Sequence, residues 1–147
     1  MLQVFLEAVL VGVYTCIVFT IVKCFNLKNN NIELCIIGFL KHLLGFVLGL
    51  HSYYCNKGFA CLNKKHKNEI WESDSVNLFG ESILEAIAFL LAGNIIRIFF
   101  KSKMILYFFI GFSLHLGAEI VYLHEWFCLN KCKKLKKTSF NKYKNDR

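Results

Sequence analysis

Apolar positions along the chain gather into four blocks, at residues 2–22, 34–50, 78–100 and 104–123, separated by two short polar connections and one long one, 51–77. A helix rises about 1.5 Å per residue and the hydrocarbon layer of a bilayer is about 30 Å thick, so about 20 residues cross it. The blocks approach that length, the second being the shortest, and each carries few ionisable residues. These are Glu7 in the first, Lys41 and His42 in the second, Glu81, Glu85 and Arg97 in the third, and His115 and Glu119 in the fourth. None shows the regular polar face of a water-exposed helix, and none alternates as a strand does. In lipid every backbone donor must be satisfied within its own segment or in a closed barrel. The pattern therefore predicts an all-α fold, a bundle of four transmembrane helices. A soluble four-helix bundle is the competing reading.

Composition strengthens the membrane reading. Apolar residues make up 56% of the 147 positions, aromatic residues 16%, and the mean hydropathy is +0.45, above the usual range for a soluble domain. No basic region precedes the first block and no small-residue cleavage site follows it, so that block is expected to stay as a helix. The charge of +8 is unevenly spread. After Leu129 come Lys131, Lys133, Lys134, Lys136, Lys137, Lys142, Lys144 and Arg147 against Asp146 alone. With four spans, the amino terminus, the central loop and this tail share one side, which the positive-inside rule assigns to the cytoplasm. The tail, 133–147, is expected to be disordered and to attract anionic lipid head groups; nucleic acid is the weaker fit.

The second and fourth blocks are near copies. "IIGFLKHLLGFVLGLHSYYC" at 36–55 aligns without a gap on "FIGFSLHLGAEIVYLHEWFC" at 109–128, an offset of 73. Ile37, Gly38, Phe39, His42, Leu43, Leu50, His51 and Cys55 match Ile110, Gly111, Phe112, His115, Leu116, Leu123, His124 and Cys128. Upstream, "FLEA" at 5–8 resembles "ILEA" at 83–86 at an offset of 78, setting Glu7 against Glu85. The chain thus divides into a first hairpin with its central loop, 1–77, a second hairpin, 78–132, and the tail. Units with an even number of spans insert the same way up, so a pseudo-twofold axis along the membrane normal is expected.

The segments "IGFSLHLGAEIVYLHEWFC" and "IGFLKHLLGFVLGLHSYYCNKGFAC" resemble small multi-pass membrane proteins of giant DNA viruses. The shared pattern is a Gly-Phe pair, His, Glu four residues later, an aromatic pair before Cys, and another Cys shortly after. This chain departs from it in His51 and His124, and in lacking a carboxylate at Phe46. The resemblance implies a virion or host-derived viral membrane and supplies no activity.

An ionisable residue inside a span costs about 2.5–3.5 kcal/mol on insertion scales and so turns inward toward a partner. Counted along the helix rise, Glu7, Glu85 and Glu119 lie about 8 Å, and His42 and His115 about 13 Å, from the face that carries the termini. Glu7, Lys41, His42, Glu85, His115 and Glu119 therefore read as one intramembrane polar cluster. Lys41 and Glu119 have no charged counterpart in the other copy, Leu114 and Phe46 standing there, and read as a compensating ion pair. Three uses stay open: hydrogen bonds that hold the bundle in register, a proton or ion path, and a dinuclear metal site of the kind built in helix bundles. Absence of a Glu-x-x-His spacing weakens the last. Gly45, Gly49, Ala88 and Ala92 supply small faces for close helix packing.

Of seven cysteines, Cys16, Cys24 and Cys35 fall in or at the ends of spans and read as small apolar side chains. Cys55 and Cys61, matched by Cys128 and Cys132, cap the two hairpins with His51 and His124. Short separations allow local disulfides, Cys55 with Cys61 and Cys128 with Cys132. Zinc is the competing ligand and the one cofactor these residues could take, through His51, Cys55, Cys61 and His66, though the second cap offers only three such groups. A reducing cytosol opposes disulfides; the viral resemblance implies a thiol-oxidising route of the virus's own. The best reading is a non-enzymatic membrane protein with a structural or assembly role, self-associating or meeting other membrane proteins. The alternatives are a small proton or ion transporter using the Glu and His set and a thiol oxidoreductase passing electrons from the caps to a quinone.

Overall fold

A computed structural model describes residues 2–62 and 70–134. In chain order these form α1 (Leu2–Lys23), α2 (Asn30–Val47), α3 (Leu50–Lys57), α4 (Phe59–Leu62), β1 (Trp71–Ser73), α5 (Leu78–Ile96), α6 (Lys103–Ile120), α7 (Leu123–Asn130) and β2 (Cys132–Lys134). Four of them, α1, α2, α5 and α6, are long and apolar enough to cross a membrane. The expected blocks and these helices coincide except at their ends, where polar chemistry decides. α2 starts at Asn30, before the apolar block, because the Asn29 side chain accepts from the backbone N–H groups of Asn31 and Ile32 at 2.9 and 3.3 Å. It ends by Leu48, where Gly49 turns left-handed at φ 74°. α5 ends at Ile96 and not at residue 100, and Ile98 and Phe99 stand exposed beyond it.

α1 packs chiefly on α6, and α2 on α5. Each pair closes at a glycine. A Cβ on Gly38 would come 2.8 Å from the Glu85 carbonyl oxygen and the Phe89 Cβ; one on Gly111 would collide with the Thr15 hydroxyl. Gly93 against Leu34 and Gly12 against Phe108 are equally close, and these, not a Gly45–Gly49 face, are the close approaches, since Gly49 lies outside its helix with nothing near it. Val18, Phe19, Val22, Leu34, Ile37, Phe89, Tyr107 and Ile110 fill the bundle between the pairs. Phe19 stacks on Tyr107 at 4.5 Å.

The outer faces stay apolar. Leu6, Leu10, Val13, Ile17 and Ile21 run down α1, and Ile83, Ile87, Leu91 and Ile95 down α5, all exposed. Such stripes in water would be an aggregation surface; they fit lipid, and together the four helices suggest a helical membrane protein rather than a soluble bundle.

The described residues are mostly helical, as expected, with one addition, a two-stranded ribbon. β1 and β2 pair antiparallel, Trp71 with Lys134, Glu72 with Lys133 and Ser73 with Cys132. Lys133 and Lys134, assigned by sequence to a disordered tail, belong to this ribbon; residues 135–147 lie outside the described residues. Asn56 clamps β1 to α3, its amide donating to the Trp71 carbonyl at 2.6 Å and its carbonyl accepting from the Trp71 N–H at 2.9 Å. Three-residue strands have no periodicity long enough to read in advance.

Candidate functional site

Beneath the cap the ionisable residues of the four long helices form two groups, one in each helix pair, where a single cluster was expected. The first lies between α2 and α5. Lys41 Nζ donates to Glu85 Oε1 at 2.6 Å. His42 places Nε2 3.5 Å from Glu81 Oε2 and Nδ1 3.9 Å from Glu85 Oε2. Glu81 is also paired with Lys131, whose ammonium further donates to the Val76 carbonyl at 2.8 Å. The second group lies between α1 and α6. Glu7 Oε1 accepts from Gln3 Nε2 at 3.0 Å and from the Phe59 N–H at 2.9 Å, while its Oε2 lies 3.6 Å from His115 Nε2. Glu119 Oε2 meets His124 Nδ1 at 2.7 Å.

Lys41 and Glu119 are thus not partners of each other. The reason is topological: α2 carries Lys41 and packs on α5, whereas α6 carries Glu119 and packs on α1. Each takes the nearest opposite group in its own pair.

His51 and His124, expected with the cysteines, instead turn back under the cap. A left-handed residue, Gly49 in one hairpin and Tyr122 at φ 58° in the other, breaks each span from its short cap helix. The chain reversal brings together histidines nine residues apart, His42 with His51 at 4.6 Å between ring centroids and His115 with His124 at 4.4 Å. His51 also meets Phe127 at 5.9 Å, and His124 meets Tyr54 at 5.1 Å. Burial, reinforced by the nearby charges of His42 and Lys41, pushes the His51 pKa down to about 4. Burial and then His115 lower that of His124, against the pull of Glu119. Tyr54 is pushed up, first by burial and then by Glu7 and Glu119.

The cap cysteines are bonded across the hairpins and not within them, which corrects the local pairing. Cys55 joins Cys132 with Cα atoms 5.6 Å apart, and Cys61 joins Cys128 at 5.3 Å, inside the usual disulfide range. All four are buried, with Tyr54, Ala60, Trp71 and Phe127 packed around them. The bonds span 77 and 67 residues; in the chain-entropy picture a loop of that length gives about 4 kcal/mol, less where spanning helices persist in the unfolded state. A zinc site at the first cap would need His51, which faces His42, and His66, which lies outside the described residues. The Sγ atoms of Cys61, Cys128 and Cys132 lie within 4.8 Å of one another. Of the other cysteines, Cys16 donates to the Met104 carbonyl at 3.4 Å, Cys35 is half-buried, and Cys24 is exposed rather than packed.

At the opposite end the sequence reading missed a third polar contact. Glu33, buried, accepts from Lys103 Nζ at 2.8 Å and from the Tyr107 hydroxyl at 2.8 Å. It sits before the apolar block as first drawn, and only the Asn29 cap, by moving the helix start, reveals it as part of a span. Glu81, a charge within its block but outside the expected cluster, joins the first group through His42 and Lys131.

Compared with protein-family models, curated proteins and solved structures, the chain matches none of them.

Proposed function

We propose that the protein is an integral, four-span membrane scaffold with a structural or assembly role in a viral or host-derived membrane. The observation that carries this is the pairing of the chain's ionisable groups with one another around a closed apolar core, although Glu7 Oε2, His42 Nε2, His115 Nε2 and the Tyr54 hydroxyl keep no hydrogen bond. Glu7, Glu33, Lys41, Glu81, Glu85 and Glu119 are each engaged by another residue of the chain. Between the cap-side groups and Glu33 the bundle is filled by Val18, Phe19, Val22, Leu34, Ile37 and Phe89. A transporter or channel needs a polar or water-filled route at that depth, so its case is weaker. The viral setting rests on the resemblance of the two His-containing segments.

The two hairpins are tandem repeats about a pseudo-twofold axis along the membrane normal. Contacts recur in exchanged form, which supports this reading: α2 on α5 and α6 on α1, His42 with Glu85 and His115 with Glu7, Cys55 with Cys132 and Cys128 with Cys61. The basic residues favour a cytoplasmic cap, and the virus's own thiol oxidation would then supply its disulfides.

The test is chemical cross-linking in native membranes together with deletion of the gene. Cross-links to neighbouring membrane proteins and defective particle assembly are expected. Recovery of no partner with normal assembly would overturn the scaffold reading. A pH-dependent flux in reconstituted vesicles, abolished by Glu119→Gln, would replace it with the transporter.

A further inference from the structure

We propose that the four cap cysteines form a thiol–disulfide exchange set, through which a single two-electron reduction releases both links between the hairpins. Two separated disulfides would behave otherwise: reducing one would leave the other holding the caps together. Here the bonds are adjacent. Cys132, bonded to Cys55, has its Sγ within 4.8 Å of both sulfurs of the neighbouring Cys61–Cys128 bond. Exchange proceeds when a thiolate reaches a disulfide sulfur, and it is governed by access and by the pKa values of the attacking and leaving thiols.

The steps balance as follows. An external dithiol attacks the Cys55–Cys132 bond, and its second thiol closes on the mixed disulfide. The dithiol is oxidised to a disulfide, and Cys55 and Cys132 are left as thiols. The Cys132 thiolate then attacks Cys128 Sγ, forming Cys128–Cys132 and expelling Cys61 as a thiolate, which takes up the proton that Cys132 lost. The number of disulfides is unchanged in this second step. The product has one bond, local to the second hairpin, and free thiols at Cys55 and Cys61 on the first. No covalent link then joins α3 and α4 to α7 and β2. The set does not depend on the assembly role, since it follows from the placement of four sulfurs.

The structure also says what the released caps would uncover. His51 and His124 meet Phe127 and Tyr54 of the opposite hairpin's cap, so unlinking loosens the lid over both histidine groups. Cys132 is the natural entry: it opens β2 and, though buried, is the most exposed of the four cysteines.

Peptide mapping of the full chain in detergent tests the exchange. Trypsin cuts after Lys57 and Lys131, which places all four cysteines on different peptides. In Cys55→Ser, alkylated without prior reduction, Cys132 should appear bonded to Cys128 in at least a tenth of the molecules; a Cys61–Cys132 bond in its place would keep the hairpins linked and overturn the release. Cys61–Cys128 as the only disulfide, with Cys132 fully alkylated, would overturn the proposal. Should that variant fail to fold, the wild-type chain treated with one equivalent of dithiothreitol gives the same decision. Cys128–Cys132 should accumulate while Cys55 and Cys61 alkylate together; loss of the two original bonds independently, with no exchanged pair at any time, would contradict it.

Discussion

The two polar groups under the cap solve the same problem with different chemistry. Between α2 and α5 the carboxylates of Glu81 and Glu85 are matched by the ammonium groups of Lys131 and Lys41. Between α1 and α6 the carboxylates of Glu7 and Glu119 face His115 and His124, and no lysine pairs with them among the described residues. Permanent charge balances the first group. The second depends on the one imidazole hydrogen bond of His124 to Glu119, on the His115 ring 3.6 Å from Glu7, and on the backbone and Gln3 donors to Glu7. The first group should therefore be the stronger structural tie, and the second the more sensitive to its proton content.

The largest effect is expected from removing the resident cation. Lys41→Met leaves Glu85 in a half-buried site without its partner, and breaking such a pair from one side costs about 3 kcal/mol. The thermal midpoint in detergent should fall clearly, and Lys41→Met with Glu85→Gln should recover most of the loss. Acid comes next. With its folded pKa near 4 and an ordinary value of about 6.5, His51 binds its proton later in the folded than in the unfolded chain. The stability it contributes is complete above about pH 6.5 and is lost as pH falls toward 4, by about 2 kcal/mol between pH 6.5 and 5. A midpoint recorded over that range should fall, and His51→Phe should flatten the curve.

Smaller again is Glu119→Gln, which keeps an acceptor for His124 but removes its charge. About 1 kcal/mol is expected, confined to the α1 and α6 pair. Smallest is the transplant Leu114→Lys, which gives the second group the lysine of the first. An unpartnered lysine within a span costs about 2.5–3.5 kcal/mol; with Glu7 placed as Glu85 is in the first group, the cost should be less than half of that. A full cost would break the equivalence of the two groups.

The sequence made part of this legible. Four apolar blocks set the four long helices, because lipid leaves few alternatives for the backbone. Helix ends were less readable, since the Asn29 side chain and the left-handed Gly49 decide them rather than hydropathy. The histidines were recognised but misplaced. Their nine-residue spacing, repeated at 42 and 51 and at 115 and 124, was the available signal, and it acquires meaning only once Gly49 and Tyr122 reverse the chain. Disulfide connectivity could not be read from spacing at all: four cysteines allow three pairings, and the crossed one depends on how the two hairpins meet.

That meeting is the centre of the account, and disulfide mapping of the untreated, alkylated protein measures it most directly. Peptides joining Cys55 to Cys132 and Cys61 to Cys128 are predicted as the dominant pairs. Local pairs, Cys55 with Cys61 and Cys128 with Cys132, or four freely alkylated thiols in freshly isolated protein, would contradict it.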